Sequence, residues 1–313
     1  MPMNQFLIAL LLVSVLCRPS FGAPLSSNVR TVIPAAIQQI ISVDYRQLRD
    51  SESAVALNGR LMPGNLQQLE SALKTAGINP EKEMEQLTFI SYRSPNGGTR
   101  SVGIAQGAFN QEEFLQKMRL KKLKPEKYLL SWLYPMGSGT QLVFLDPSTI
   151  LFGESSAIKG AIDVRDNGAE SLASNNIVND LILDVDSAPV WSVVDQLGTQ
   201  NMMKSALGQA ASLGDYDLVL KRLLASDYEM HFSDGASFDL NVKTSDTISA
   251  ATMALLVKAV VLYSGMNATP TQKMALDNIT VGNSHDMLQL HLKTDDQHFQ
   301  TLLTSYLFVG VSQ

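Results

Sequence analysis

The sequence predicts an α+β protein made of two similar halves, each an antiparallel sheet with helices packed on one face. The first observation is that short stretches alternating apolar and polar residues are repeatedly followed by stretches with helical spacing. The second is an internal echo, in which Asp239–Asp246 recurs fifty positions later as Gln289–Asp296. Both copies alternate, reach Lys-Thr-x-Asp and enter a helical pattern, so the repeated unit ends as a strand followed by a helix.

The second half begins with a strand over Ala188–Val194 and a long helical stretch over Gln196–Leu224, interrupted at Gly214. Before each copy of the echo lie a further strand and a turn, which together predict a hairpin. The two pairs are Tyr228–Phe232 with Ser233-Asp234-Gly235, and Ile279–Val281 with Gly282-Asn283-Ser284. Between the hairpins, Ile248–Leu262 contains Lys258 and is shorter than the roughly twenty residues that a membrane span needs. It is therefore expected to be a core helix packed on the sheet.

The first half contains the same hairpin-and-helix unit twice. A strand over Ile33–Val43 leads, and a helix over Leu66–Ala76 follows, with Asn65 and Gln68 placed as a capping box and Gly77 as its stop. The two units after it are Leu87–Arg93, Ser101–Gln106 and a helix Gln111–Met118, then Gln141–Leu145, Thr149–Phe152 and a helix Ser156–Val164. Each half thus reads β-α-β-β-α-β-β-α, which contains the split β-α-β arrangement of ferredoxin-like domains.

The predicted organisation has four parts. Residues 1–22 are a signal peptide, 23–165 the first repeat, 166–187 a linker rich in Asn, Asp, Ser and Ala, and 188–313 the second repeat. Phe6–Cys17 is an uncharged apolar run, too short to span a bilayer but suited to a signal-peptide core. Small residues at Ser20 and Gly22 predict cleavage between Gly22 and Ala23. Because Met1–Gln5 carries no Lys or Arg, an uncleaved anchor formed by residues 6–17 stays open as the alternative.

Composition restricts the class of protein. Removal of the leader would leave no cysteine, because Cys17 is the single one, and therefore no disulfide, thiolate metal site or cysteine nucleophile. The formal net charge of −6 argues against a dedicated nucleic-acid binder, which needs a basic footprint. The expected compartment is periplasmic or extracellular.

A resemblance adds to this interpretation. Gly77–Leu87, a helix stop running into an acidic turn and a strand, is similar to segments of uncharacterised exported bacterial proteins with tandem ferredoxin-like repeats. Phe144–Ala161 followed by Ser171-Leu172-Ala173 also fits their pattern. The resemblance covers the layout of most of the mature chain and implies no activity, since the family offers no catalytic residues to carry over.

No catalytic or metal constellation stands out. Two S-x-x-K matches, at Ser71 and Ser156, together with Ser174-Asn175-Asn176 and Lys243-Thr244-Ser245, mimic the motifs of penicillin-recognising serine enzymes, but two such matches are what random placement gives. The four histidines show no metal-binding spacing. His285 and His291 are expected to face solvent. His231 is expected to lie across a hairpin from Asp239, either as a solvent-exposed cross-strand pair or as a general base that Asp239 orients. No cofactor is expected.

One charge anomaly remains. Six cations fall within eleven residues of an otherwise acidic chain: Lys117, Arg119, Lys121, Lys122, Lys124 and Lys127. They predict either a solvated helix end, with Met118, Leu120 and Leu123 packing partly against the body, or a weak contact with an anionic membrane surface. The function expected is non-enzymatic: an exported binding or structural module of the cell envelope or extracellular space, with a protein or small-molecule partner. The alternatives are a membrane-tethered accessory protein and a serine hydrolase of penicillin-recognising type.

Overall fold

The computed structural model describes residues 24–50, 71, 73–95, 97–137, 139–208, 216–232, 235–266 and 268–295. The leader, the cleavage site Gly22–Ala23, the anchor 6–17, most of the predicted helix Leu66–Ala76 and the helix expected after residue 295 lie outside these residues. At the end of that first helix, residues 73–76 are helical and Gly77 adopts a φ of 96°, as its predicted role as a helix stop requires.

The described strands form one antiparallel twelve-stranded sheet, ordered β11-β12-β10-β9-β8-β1-β2-β3-β7-β6-β5-β4. Their bounds are β1 Ile37–Asp44, β2 Met84–Arg93, β3 Thr99–Gly107, β4 Glu126–Tyr128, β5 Ser131–Gly137, β6 Thr140–Asp146, β7 Thr149–Glu154, β8 Val190–Val194, β9 Leu223–His231, β10 Ala236–Thr244, β11 Ile279–Ser284 and β12 Met287–Thr294.

The helices with complete bounds in the described residues are α1 Ser27–Arg30, α2 Tyr45–Asp50, α3 Pro80–Glu83, α4 Gln111–Leu120, α5 Ser155–Asp166, α6 Asn176–Val185, α7 Gln196–Leu207, α8 Tyr216–Leu220, α9 Thr247–Met266 and α10 Pro270–Asp277, with a 3₁₀ turn at Leu172–Ser174. The α+β class is therefore confirmed. The stretch predicted as helical over Gln196–Leu224 contains two helices, α7, which ends before Gly208 with its φ of 52°, and α8, and β9 already begins at Leu223. The predicted interruption at Gly214 lies outside the described residues.

The two halves share a single sheet. β1 pairs with β8 in the middle, where Ile40 lies opposite Val193. Outward from this seam, the first half runs β1-β2-β3-β7-β6 and the second runs β8-β9-β10-β12-β11, so the same pairing order is repeated in both directions. The prediction of two separate sheets was wrong, because alternation shows which side chains share a face and says nothing about which strands become neighbours.

The split β-α-β pairing is also absent among the described strands. That arrangement needs a third strand between the first two, whereas β1 pairs directly with β2, with Ile40 opposite Ile90. The echo does have a structural counterpart, since its two copies are the neighbouring strands β10 and β12. Their equivalent leucines, Leu240 and Leu290, lie opposite each other.

Helices cover both faces of the sheet, not one. On the front face, α5 and α6 pack over a core that includes Ile40, Ile90 and Val193. On the back face, α4 packs over the first half, and α7 and α9 pack over the second. Val43, opposite both Leu87 and Val190, joins the two back-face regions. Beyond α6, the front face of β9–β12 has no covering helix among the described residues and carries polar side chains.

The predicted linker 166–187 is part of the body. It contains α6, whose Val178, Leu181, Ile182 and Val185 are buried in the front-face core. The segment is rich in Asn, Asp and Ser because these residues form its caps and exposed side: the Asn175 side chain accepts a hydrogen bond from the Val178 backbone N–H. The polar composition of this segment therefore reflects helix caps and an exposed helix face, and it does not indicate a flexible linker.

Candidate functional site: the basic edge

The end of α4 and the β4–β5 hairpin form a basic edge, defined here as residues 119–132, at one end of the sheet. Phe114 and Met118 are buried and fix α4 to the back face. The chain that follows leaves the body, and all the side chains from Arg119 to Lys127 are exposed. The predicted cations are thus brought together along one surface, except for Lys117, which lies one turn earlier.

Some of these cations already have partners. The Lys117 ammonium lies 2.6 Å from a carboxylate oxygen of Glu113, and it donates a long hydrogen bond of 3.4 Å to the Gly77 carbonyl. The Lys121 ammonium donates to the Thr75 carbonyl at 2.7 Å. These two residues therefore contribute to holding α4 against the preceding helix end.

The other lysines are available for an outside partner. Within the described part of the chain, Lys122 and Lys124 have no carboxylate within ion-pair distance. Lys127 lies opposite Trp132 across the hairpin, and its ammonium is 5.9 Å from the centre of the indole ring. A cation stacked on a half-exposed indole keeps its charge at the surface and is free to approach an anion.

The hairpin tip is unusual in its residue types. Tyr128 pairs with Ser131, so the turn consists of Leu129 and Leu130 alone. Two-residue turns favour Gly, Asn and Asp, yet Leu129 takes a φ of 49° and Leu130 is 85% exposed. A left-handed backbone is unfavourable for Leu129, and exposure to water is unfavourable for Leu130. The stability of the fold therefore does not explain this pair of leucines, which suggests a binding function.

Of the apolar residues interleaved with the cations, only Met118 packs as expected. Leu120 is 76% exposed, and Leu123 is also exposed. The basic edge therefore presents leucines and Trp132 beside lysines that have no ion-pair partner in the described part of the chain. The cations were predicted from the sequence, whereas Leu129, Leu130 and Trp132 were not. The signal that was available is the Leu-Leu pair in a two-residue turn position.

A second group of polar residues lies on the open front face of β9–β12. His291 Nδ1 lies 2.6 Å from an Asp239 carboxylate oxygen, and His231 Nε2 lies 3.7 Å from Glu229. Asp239 was expected to face His231, but the register places it opposite Glu229 on β9 and opposite His291 on β12. The nearby Glu229 carboxylate raises the pKa of His231. His285 and His291 are both exposed, as predicted, and His285 lies in the β11–β12 turn.

Asp227 marks the border between the open front face and α6. Its side chain is buried, the Asn241 side-chain N–H donates to one carboxylate oxygen at 2.8 Å, and the other oxygen has no hydrogen-bond partner among the described residues. Burial raises the pKa of Asp227 to about 7, and the negative charges of Asp184 and Glu229 act in the same direction. The group is a titratable carboxyl inside the fold, with no nucleophile or cation beside it among the described contacts.

The remaining candidates do not form sites. Between α7, α9 and the sheet is an apolar cavity of about 40 Å³, lined in part by Met203, Phe238 and Val257, which holds a few water-sized groups at most. No cluster of His, Cys, Asp or Glu suited to a metal ion occurs in the described ranges. At 20 residues, the helix Thr247–Met266 is longer than the segment predicted from the sequence and is long and apolar enough to cross a membrane, but 39% of an 18-residue stretch within it is buried inside the protein.

The motifs of penicillin-recognising enzymes are not assembled. Lys159 Nζ forms an ion pair with Glu126 at 2.5 Å, so it is not poised beside Ser156 as an activating base. Lys243 pairs with Asp286 at 2.8 Å on β10, and β9, β8, β1 and β2 separate that strand from β3, on which α5 packs. Asn175 caps α6. Lys159, Lys243 and Asn175 therefore each have a structural partner of their own.

Comparison with known proteins gives no family. No protein-family model matches the chain, and no curated protein matches it. A crystal structure of the protein TP0453 (crystal form I) is similar, with a TM-score of 0.46 and 8% sequence identity, over 91% of this chain and 98% of that one. At this level of similarity, the comparison supports no statement about function.

Proposed function

We propose that this chain is an exported, non-enzymatic binding module that docks on an anionic membrane surface through the basic edge. The observation that carries the proposal is the combination of Lys122 and Lys124, which have no ion-pair partner among the described residues, with Leu130, which is 85% exposed at the hairpin tip. Lysines supply attraction to anionic head groups, and an exposed leucine and tryptophan supply apolar surface for the interface between head groups and acyl chains.

The charge of the rest of the protein supports an oriented contact. The chain as a whole carries a formal charge of −6, while the basic edge concentrates five cations within nine residues. The acidic body is repelled by an anionic surface and the basic edge is attracted, so one orientation is favoured. The effect acts within a Debye length of about 8–10 Å at ordinary salt, which requires close approach of this edge.

The expected strength is modest. Each lysine near the surface contributes about 1 kcal/mol, and full burial of one leucine contributes roughly 1.5–3 kcal/mol. The hairpin tip is close enough to act with the lysines, since β4 is only three residues long and spans about 10 Å. The module would therefore bind reversibly, with both terms needed.

Vesicle partitioning tests the proposal. The full chain is expressed with its own leader, purified in the form the cell produces, and mixed with vesicles of phosphatidylglycerol and phosphatidylcholine in equal parts. The double variant Lys122→Gln, Lys124→Gln should lose about 2 kcal/mol of binding free energy, so its partitioning should be weaker by roughly thirty-fold. Leu130→Asn should weaken it by about ten-fold or more. Pure phosphatidylcholine vesicles and high salt should abolish most of the binding.

Matched controls use residues elsewhere on the surface. Lys204→Gln with Lys221→Gln removes two exposed lysines from the second half, and Leu183→Asn removes an exposed leucine from α6. Both should leave partitioning unchanged. Equal losses in control and test variants, or no binding by the parent chain, would refute a docking role for the basic edge.

Two further proposals concern the leader and the repeat. Residues 1–22 are proposed to direct export with cleavage before Ala23, the alternative being retention of residues 6–17 as an anchor. An intact mass beginning at Ala23 supports cleavage, and an unprocessed chain in the membrane fraction supports the anchor. The halves are proposed to be copies of one structural unit, which their repeated strand order supports.

A further inference from the structure

The helix α9 carries an exposed apolar stripe on the side that faces away from the sheet. Ala250, Met253 and Val257 are buried against the back face, in the core of the second half. On the opposite side, Ile248, Leu255, Leu262 and Met266 are between 67% and 80% exposed. The core helix predicted over Ile248–Leu262 is therefore confirmed for one side only, and the other side is uncovered among the described residues.

The spacing of the stripe is that of a coiled-coil seam. Its positions are 248, 252, 255, 259, 262 and 266, so the steps alternate between four and three residues over the whole helix. This is the a/d pattern, which presents two residues per heptad to a partner helix. The one polar member, Thr252, turns its hydroxyl to the Ile248 carbonyl at 2.8 Å. Its hydroxyl is satisfied within the helix, which leaves its methyl group for the seam.

We infer that a second copy of this chain covers the stripe, through parallel pairing of the two α9 helices. A membrane-surface helix would place Lys and Arg opposite its apolar face, but that side of α9 is buried in its own core. The exposed apolar side chains of the stripe, with Tyr263, present roughly 600 Å², approaching the ~800 Å² per partner of a standard interface.

The single charge on the helix selects the parallel arrangement. Lys258 occupies a position flanking the seam, close to the helix midpoint. In an antiparallel pair the two copies of Lys258 would approach each other and repel. In a parallel pair the flanking position faces the residue five further on in the other copy, which is Tyr263, and a lysine beside an aromatic ring is favourable. The basic edge, at the other end of the sheet, stays uncovered in such a dimer.

Sedimentation velocity over a concentration series tests the association. The purified chain should sediment as a dimer, and Leu255→Gln with Leu262→Gln should convert it to a monomer, with circular dichroism confirming an intact fold. The matched control, Leu183→Gln with Leu218→Gln, removes two leucines of similar exposure on α6 and α8 and should remain dimeric. A monomeric parent chain, or equal behaviour of both variants, overturns the inference.

A cysteine reporter tests the direction. Because Cys17 is the single cysteine, Thr252→Cys in a Cys17→Ser background places one thiol in the seam. A parallel pair brings the two copies of residue 252 together and should give a disulfide-linked dimer on mild oxidation, whereas Leu218→Cys should not. Cross-linking only when Thr252→Cys is combined with Leu262→Cys would show antiparallel pairing and refute the parallel form.

Vesicle partitioning separates the two proposals. Loss of the basic-edge lysines should leave the dimer intact, and loss of the seam leucines should leave the salt-sensitive component of vesicle binding in place. If the seam variant instead loses vesicle binding while the parent chain is monomeric, lipid is the occupant of the stripe and the inference of a second copy is wrong.

Discussion

Replacing Asp227 with asparagine should change how the stability of the protein depends on pH. The Asp227 carboxyl is buried, and its pKa is raised to about 7 from the ordinary value of 3.8, because burial removes its carboxylate from water. Between these two values, the folded chain holds a proton that the unfolded chain has released. The contribution of Asp227 to stability is therefore greatest at low pH and falls as the pH rises toward 7.

The magnitude follows from the size of the shift. Three pKa units at about 1.4 kcal/mol each amount to a loss of up to about 4 kcal/mol between pH 4 and pH 8 from this one group. Asp227→Asn removes the charge, while the asparagine carbonyl keeps the hydrogen bond from Asn241. The added amide group has no partner at the position of the free carboxylate oxygen, which costs about 1–3 kcal/mol. The variant should be more stable than the parent by about 1–3 kcal/mol at pH 8 and less stable at pH 4.

Urea denaturation at intervals from pH 4 to pH 8 measures this difference. Subtracting the two stability curves removes the contribution of all other titrating groups, and the remaining slope belongs to Asp227. Asp180→Asn, which removes an exposed carboxylate from α6, controls for the change in net charge. Parallel curves for the parent and Asp227→Asn would show that the buried carboxyl is ionised throughout, and the argument from desolvation would fail.

Two further predictions concern backbone positions. Gly103 on β3 lies under the Phe152 ring, where an added Cβ would come within 1.8 Å of a ring carbon. Gly103→Ala should therefore lower the free energy of unfolding, measured by urea denaturation, by about 1–3 kcal/mol. In the double variant, Phe152→Leu should restore part of that loss. Leu129→Gly should raise stability by about 0.5–1 kcal/mol because glycine accepts the φ of 49° at this position. Leu130→Gly should give no such gain, because the φ of Leu130 is not positive. Equal melting temperatures for the two variants would contradict the strain at Leu129.

Local patterns predicted the elements well. Alternation located β10 and β12 within a residue or two, because one face of each strand is buried under α9 and the other carries polar residues. Turn residues placed β2, β3 and the β6–β7 hairpin correctly. The β11–β12 turn was misplaced, since β11 continues to Ser284 through residues that usually form turns.

Partner choice between distant segments could not be read from the pattern. The pairing of β1 with β8 joins residues about 150 positions apart, and nothing local to either strand records it. The same limit explains why residues 166–187 were predicted to be a linker. The helix α6 in this segment is buried because it packs on the front face of the sheet, and that contact depends on which strands become neighbours. At the basic edge, charge was visible in the sequence, but the exposure of Leu120 and Leu130 depends on where α4 ends relative to the sheet.

The central seam between β1 and β8 sets an order for folding. Strands β1, β2 and β3 pair with near neighbours in sequence, but one edge of β1 waits for Val190–Val194, which emerges from synthesis much later. Until then the backbone N–H and C=O groups along β1 form an open template for pairing with any extended chain. Closure of a loop this long is slow compared with hairpin formation, so the nascent first half is the stage most exposed to misassembly. A chain truncated before β8 should accordingly aggregate through β1, even though every strand of its own half is present.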